Sequence, residues 1–330
     1  MDQQELRGKA ALITGGSTEV AGAVALALAN QGVQVCLCGK QADLLDLVAD
    51  KIKAAGGNCL TITSELDSLE VAESVNGRHT TQLARMAARE NLRAVFAVGG
   101  DGTAGQAASG LIGSQTALGV LPAGTANVWA RELGINAFTW HHLRSLKKNA
   151  SLLAEVEPCA VDVGFCNGQP FLMWAGIGLD AMTVKKLEPR ERFEKYLSVT
   201  EYFATTVWNM ALWHGMNLRV VADKKTVEGH YLLAVVSNIR HYVGGLATIS
   251  PSAFIDDGKM DLWLLSGSTL ADAFRHFFDM RAGRLEDSDM ARCIPFQSAH
   301  IESDYAFPIQ MDGEARLGAG SVDIEVCPRS

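Results

Sequence analysis

Arg93-Ala94-Val95-Phe96-Ala97-Val98-Gly99-Gly100-Asp101-Gly102-Thr103 is the stretch on which the fold turns. Its first half, Arg93 to Val98, is short, apolar and rich in β-formers, the composition of a parallel strand buried on both faces. The second half drops to glycine and small polar side chains. There an anion's oxygens can approach backbone N–H groups, and the helix predicted to start near Thr103 adds the positive end of its dipole. The result is a phosphate cradle on a strand-to-helix turn of a doubly wound sheet. Taken alone, such a turn is equally compatible with a protein that binds nothing there.

Two further segments answer it. Leu118-Gly119-Val120-Leu121 reads as another buried strand, and Pro122-Ala123-Gly124-Thr125-Ala126-Asn127 follows as a second loop before a helix over 128–133, stopped by Gly134. The two cradles then share one sheet edge. Far downstream, Gln310-Met311-Asp312-Gly313-Glu314 sets two carboxylates on a tight turn after the alternating run 306–309. An acid pair there can bind a metal or accept a proton; an exposed β-turn without chemistry is the competing reading.

Beyond about residue 155 the alternation of strands and helices gives way to β structure. Val161, Val163 and Phe165 alternate with Asp162 and Gly164, Asn167-Gly168 is a two-residue hairpin dipeptide, and Phe171 resumes the strand. Further strands are predicted over 218–222, 231–236, 260–265, 300–302 and 322–326. The apolar stretch from Tyr196 to Trp213 is interrupted by Glu201, Asn209 and hydroxyl residues, too polar for a membrane span. It is predicted to be a helix covering the second sheet, with its aromatic residues in the core.

Composition narrows the function classes. At 330 residues, 48% hydrophobic and 20% charged, the chain has the makings of two globular domains with sizeable cores. A net charge of −8 argues against a nucleic-acid partner. Lys147-Lys148 and the group Lys185, Lys186, Arg190, Arg192 and Lys195 are local basic clusters, read first as solvated faces and second as docking points. The 7 cysteines are scattered and odd in number, as buried thiols of a reducing compartment are, and no spacing suggests zinc. The acidic start Met1-Asp2-Gln3-Gln4-Glu5 is unlike a signal peptide, so the expected location is the cytoplasm.

The segments GGDGT, LPAGTANVWARELGI, VDVGFCNGQPFLMWAGIGLDA, ISPSAFIDDGKMDLWLL and QMDGE, in this order from about residue 74 to residue 328, resemble the diacylglycerol kinase catalytic family. These are bacterial lipid kinases that also resemble sphingosine kinases. The resemblance implies an α/β fold with a Rossmann-like N-terminal nucleotide domain and a mainly antiparallel β-sandwich second domain, as in NAD kinases and diacylglycerol kinases. It implies an ATP-dependent lipid kinase that uses ATP and Mg2+ and meets its lipid substrate at a membrane surface, peripheral to the inner face. By the same resemblance Gly99, Gly100, Asp101, Gly102, Thr103 and Thr125 hold the nucleotide phosphates, with a hydroxyl from Ser74. Glu314 is the general base, and Asp312 and Asp101 tune it or position metal. A structural Mg2+ is expected on the carbonyls of Phe254 and Lys259 and the carboxylate of Asp257, against the plainer reading of 256–258 as an ion-free turn. The family's last strand returns to the nucleotide domain and brings Glu314 towards Asp101. Val128 stands where many members carry Asp. Three alternatives stay open: an NAD kinase-like enzyme, which shares GGDGT; an NAD(P)-binding short-chain dehydrogenase relative; and a non-catalytic lipid-binding module.

The dehydrogenase alternative comes from the N-terminus. Leu6 to Ser17, an alanine-rich helix and Val33 to Lys40 resemble the opening of a short-chain dehydrogenase, but counting from Thr14-Gly15 the next glycine positions fall on Glu19 and Ala21. No Tyr-x-x-x-Lys pair occurs in the chain. The usual Asn-Pro-x-Ser-Gly-like turn of the lipid kinases is also missing, and the strand ending at Gly39-Lys40 is expected to stand in for it. A helix over 42–55, a strand over 59–63 and a helix over 79–90 follow, with His79 as a capping or surface residue. The predicted divisions are a βαβ segment over 1–70 merged into the nucleotide domain, the remainder of that domain over 71–150, a β-rich substrate domain over 151–315, and a returning strand over 316–330.

Overall fold

The computed structural model describes residues 10–14, 19–39, 41–63, 72, 74, 76–135, 149, 152–153, 156–179, 181 and 213–330. The chain forms two compact units, Met1–Val75 with Phe138–Val156 and Asn76–Ala137 with Glu157–Ser330. In the first unit β1 (Ala10–Thr14), α1 (Glu19–Asn30), β2 (Gln34–Gly39), α2 (Ala42–Ala54) and β3 (Cys59–Thr63) alternate, and the strands run parallel in the order β1-β2-β3. Leu45, Ala49 and Ile52 form the buried stripe of α2. Leu45 and Ile52 meet Val35 and Leu37 of β2 and Ala25 and Ala29 of α1 in one core. The predicted dinucleotide loop falls on residues 15–18, outside the described residues, while Glu19 and Ala21 lie in the first turn of α1.

The second unit opens with α3 (Gly77–Arg89), β4 (Ala94–Gly99), α4 (Asp101–Leu111), β5 (Ala117–Pro122) and α5 (Val128–Glu132). α3 begins two residues before the predicted start because the Asn76 side chain accepts from His79 N at 3.0 Å and caps the helix. β4 and β5 pair in parallel from Ala94↔Ala117 to Gly99↔Pro122, so both small-residue loops leave the same end of one ribbon. α3 and α4 pack through Ala84, Ala107 and Leu111, and Gly110 allows the approach: a Cβ there would lie 2.6 Å from the Ala84 Cβ. β2 is hydrogen-bonded on both edges, to β1 and β3, while β4 and β5 form a sheet of their own.

The rest is a nine-stranded antiparallel sheet. Its members are β6 (Val163–Cys166), β7 (Gln169–Phe171), β8 (Trp174–Gly178), β9 (Met216–Ala222), β10 (Lys225–Ser237), β13 (Met260–Ser266), β14 (Ala291–Phe296), β15 (Ser298–Met311) and β16 (Glu314–Cys327). The small ladder of β11 (His241–Tyr242) and β12 (Ala247–Thr248) stands apart. β9 and β8 lie end to end between β10 and β15: β9 pairs with residues 225–231 and 299–302, β8 with 233–237 and 309–311. Met216, Leu218, Val220 and Ala222 alternate inward along β9, as one buried face of an antiparallel strand requires. They join Phe171, Leu262, Leu264, Phe296, Ile301 and Ile324 in the main core.

The hairpin at Asn167-Gly168 is as expected, with φ of 48° and 75°. α6 (Leu270–Arg281) is capped by a reciprocal Thr269–Asp272 pair and buries Ala273 against Leu179, Leu232 and Trp213. The helix predicted over Tyr196 to Trp213 lies outside the described residues except at Trp213, as do both basic clusters. The segment predicted as a returning strand over 316–330 lies mostly within β16. β16 pairs with β15 and β6 and remains an inner strand of the β domain. None of the described helices is long and apolar enough to cross a membrane, and Cys59, Cys159, Cys166, Cys293 and Cys327 are free thiols.

Candidate active site

β4 ends at Gly99, Gly100 is the N-cap, and α4 starts at Asp101, two residues earlier than expected. Gly99 has no room for a side chain: a Cβ would lie 2.5 Å from Thr103 Oγ1. Gly124 has none either, since its Cβ would fall 2.4 Å from the Gly100 Cα, so the two loops touch backbone to backbone. The second loop is shaped by Asn127, which is buried and left-handed at φ 50°. Its amide accepts from Gly124 N at 2.9 Å and donates to Gly124 O at 2.8 Å. Asp101 then ties the loops together, its Oδ1 accepting from Trp129 N, in the first turn of α5, at 3.0 Å. Gly102 and Thr125 are exposed and Thr103 is half-buried. Thr103 N and Ala104 N donate to the Gly100 carbonyl at 3.0 and 3.1 Å, so in the first turn of α4 the Asp101 and Gly102 N–H groups are the ones that can face an anion.

The carboxylate turn comes to the same helix. Asp312 and Gly313, with φ of 49° and 83°, form a two-residue hairpin turn between β15 and β16, pairing Met311 with Glu314. The turn lies against α4, where a Cβ on Gly105 would sit 3.4 Å from Asp312 Oδ2. The Asp312 carboxylate accepts from Leu172 N at 2.7 Å, Met173 N at 2.8 Å and Trp174 N at 3.1 Å. Enclosure, opposed by those three donors and helped by the nearby Glu314 charge, pushes its carboxyl up to about 6. Asp312 therefore anchors the hairpin to residues 172–174.

Glu314 reaches outward. Its Oε1 accepts from Gln106 Nε2 at 2.8 Å and its Oε2 pairs with Arg316 Nη2 at 3.0 Å. Asp101 and Glu314 are thus joined through one helix, which the hairpin tip meets at Gly105. Gln106 and Arg316 escaped the sequence reading. The available signal was that Gln106 is the one long polar side chain in a helix of otherwise small or apolar residues after its first turn.

Glu132, at the end of α5, is a second tie. Its side chain, 3% exposed, accepts from Arg240 Nε and pairs with His241 Nδ1, both at 2.7 Å. Burial opposes its charge, but the hydrogen bonds and charges of His241 and Arg240 hold its carboxyl below the usual range. Ser74 is exposed, outside helix and strand, and belongs to the first unit.

The turn 256–258 forms beside Asp162, which strand alternation set on the face away from Val161 and Val163 but which is fully buried. Asp162 Oδ2 accepts from Gly258 N at 2.6 Å and Oδ1 from Arg329 N at 2.9 Å. Asp257 Oδ1 accepts from Lys259 N at 3.0 Å, and Phe254 is 66% exposed. Among the described residues no group of three or more His, Cys, Asp and Glu is placed to hold a metal ion. The expected donors are a single carboxylate and two backbone carbonyls.

Residues 49–163 match the family model of the diacylglycerol kinase catalytic domain, and residues 174–330 that of the YegS C-terminal NAD kinase beta sandwich-like domain. A relative from Chromohalobacter salexigens, named "Probable lipid kinase YegS-like", is 28% identical over 301 residues, 86% of this chain and 90% of its own. The diacylglycerol kinase of Bacillus subtilis is 28% identical over 197 residues, 59% of this chain and 62% of its own. A crystal structure of a Bacillus anthracis diacylglycerol kinase superposes with a TM-score of 0.56 at 21% identity, covering 90% of this chain and 94% of that one, a likeness of fold.

Proposed function

We propose, from the premise that this chain belongs to the diacylglycerol kinase catalytic-domain family, that it transfers the γ-phosphoryl group of ATP to the hydroxyl of a lipid. The observation that carries this reading is the seating of Glu314 on Gln106 of α4, the helix whose first turn is the glycine loop. A base and a phosphate cradle on one rigid element can meet one transferred group. The backbone from Gly99 to Thr103 and the exposed Thr125 face the nucleotide phosphates. The lipid oxygen attacks phosphorus, its proton passes to Glu314, and ADP leaves.

Asp101 and Asp312 support this chemistry without touching the reacting atoms: one holds the second loop, the other the hairpin. Phe254 O, Lys259 O and the Asp257 carboxylate are hard oxygen donors of the kind Mg2+ takes. Asp257 and Lys259 are already drawn together by a hydrogen bond, so these residues fit a structural Mg2+. Its charge, when bound, would steady a turn that carries acidic side chains. The acceptor is an amphiphile, so the reaction belongs at the membrane surface on which the protein docks.

The test is Glu314→Gln assayed with radiolabelled ATP and a panel of lipids in mixed micelles. Loss of the base is expected to cost about 10²- to 10⁴-fold in both kcat and kcat/KM, with ATP affinity little changed. Loss of ATP binding with turnover preserved at saturation would make Glu314 a nucleotide or metal ligand. Phosphorylation of NAD in place of every lipid would move the protein to the NAD kinase branch.

A further inference from the structure

Glu314 is a base with both oxygens engaged, Oε1 by Gln106 Nε2 and Oε2 by Arg316 Nη2. Each carboxylate oxygen keeps a further lone pair while its donor stays in place. Gln106 is the fixed donor, half-buried on a helix whose next residue, Ala107, is packed in the core shared with α3. Arg316 is the movable one: it lies two positions after Glu314, on the same face of β16, and its side chain is 38% exposed, as is that of Glu314. A guanidinium has five N–H donors in a planar fork suited to phosphoryl oxygens. Charge points the same way. Among the described residues Arg316 is the one cation in an ion pair with Asp101, Asp312 or Glu314, and the polyphosphate adds to the negative charge of this site.

We propose that Arg316 recognises a phosphoryl oxyanion, pairing with Glu314 in the resting site and turning to the phosphoryl oxygens in the reacting one. The proposal rests on the phosphoryl-transfer reading above. The step balances. The acceptor O–H bond breaks with its proton passing to Glu314 Oε2, the new O–P bond forms, and the bond from the γ-phosphorus to the bridging oxygen breaks with its electron pair leaving on ADP. Arg316 keeps its protons and offsets charge on the non-bridging oxygens. That oxyanion has two sources, the group in transfer or the phosphate of an anionic lipid acceptor. Gln106 lies about 8 Å along α4 from Asp101 at ~1.5 Å per residue, which favours the group in transfer.

The full-length wild type is compared with Arg316→Ala and Arg316→Lys. Calorimetry measures ADP with Mg2+, alone and with aluminium fluoride as a mimic of the phosphoryl group. Kinetics use micelles containing diacylglycerol or phosphatidylglycerol. Arg316→Ala is expected to bind ADP about as the wild type does, to lose the extra affinity that aluminium fluoride confers, and to lose about 10²- to 10³-fold in kcat on both lipids, the scale of one preorganised donor. Arg316→Lys recovers part of this as a point charge without the fork. A loss confined to phosphatidylglycerol and seen in KM assigns the same recognition to the headgroup phosphate. Unchanged aluminium fluoride affinity with an unchanged ratio between lipids overturns the proposal, as does a parallel loss of ADP affinity and melting temperature in Arg316→Ala. A wild type that phosphorylates neither lipid refutes the lipid kinase reading, while the aluminium fluoride arm still reports on Arg316.

Discussion

A carboxylate on the proposed phosphate loop would repel the anion that the loop's N–H groups attract, so Asp101 needs another purpose in the fold. Trp129 N supplies it: the Asp101 charge is directed at the positive end of α5, at 3.0 Å, and locks the second loop against the first. Asp101→Ala removes that lock and is expected to cost about 1 kcal/mol of stability, as loss of a helix cap does, and to abolish transfer. Asp101→Asn keeps an acceptor oxygen and is expected to restore both the melting temperature and most of kcat; an Asn variant as inactive as Ala would show that the charge itself is needed at the phosphates. Asp312 is the other informative residue. Its proton is held up to about 6 in the folded protein against 3.8 for the ordinary group, so the native state binds it more tightly than the unfolded chain. That contribution is complete below about pH 4 and lost as pH rises through about 6. The stability of the wild type relative to Asp312→Asn, whose amide does not titrate, should therefore fall by up to about 3 kcal/mol between those values. Parallel urea midpoints of the two proteins across this range would disprove it.

At the scale of elements, α4 is the organising piece. Its first turn is the proposed phosphate loop, Gly105 admits the hairpin tip, and Gln106 holds Glu314. Small residues dominate its sequence because a loop, a hairpin and α3 all approach it closely. The turn 256–258 depends in the same way on a distant side chain, since Asp162 gathers Gly258 N and Arg329 N onto one buried carboxylate. Asp162→Ala strands both donors, and at about 1–3 kcal/mol for each buried group left unsatisfied the expected loss is about 2–6 kcal/mol. Chemical denaturation measures it, and a loss below about 1 kcal/mol would mean that water replaces the carboxylate.

At the scale of the whole molecule, the first unit poses its own question, a parallel βαβαβ segment whose family matches begin only at residue 49. With Glu19 and Ala21 at the positions where a dinucleotide loop needs glycine, NADH and NADPH are expected to give no saturable fluorescence change at micromolar concentration; saturation would revive the oxidoreductase reading. Local chemistry made much of the fold legible in the amino-acid sequence. Alternating apolar residues marked the strands, and dipeptides that tolerate positive φ marked both hairpin turns, Asn167-Gly168 and Asp312-Gly313. Glycines marked the two loops that touch at Gly100 and Gly124. The extra length of β15 and β16 was not legible, because pairing partners extend a strand beyond its own pattern. Nor was the sheet to which β16 belongs. The partners of the site lay equally out of reach: Gln106 and Glu314 are 208 residues apart, and Asp162 looks like an outward-facing residue until Gly258 and Arg329 enclose it. The sequence by itself therefore determined which turns and loops exist and what chemistry they offer. Only the tertiary structure decided which carboxylate is left half-exposed on side-chain donors and which ones hold the frame, because that choice depends on backbone donors brought in from remote parts of the chain.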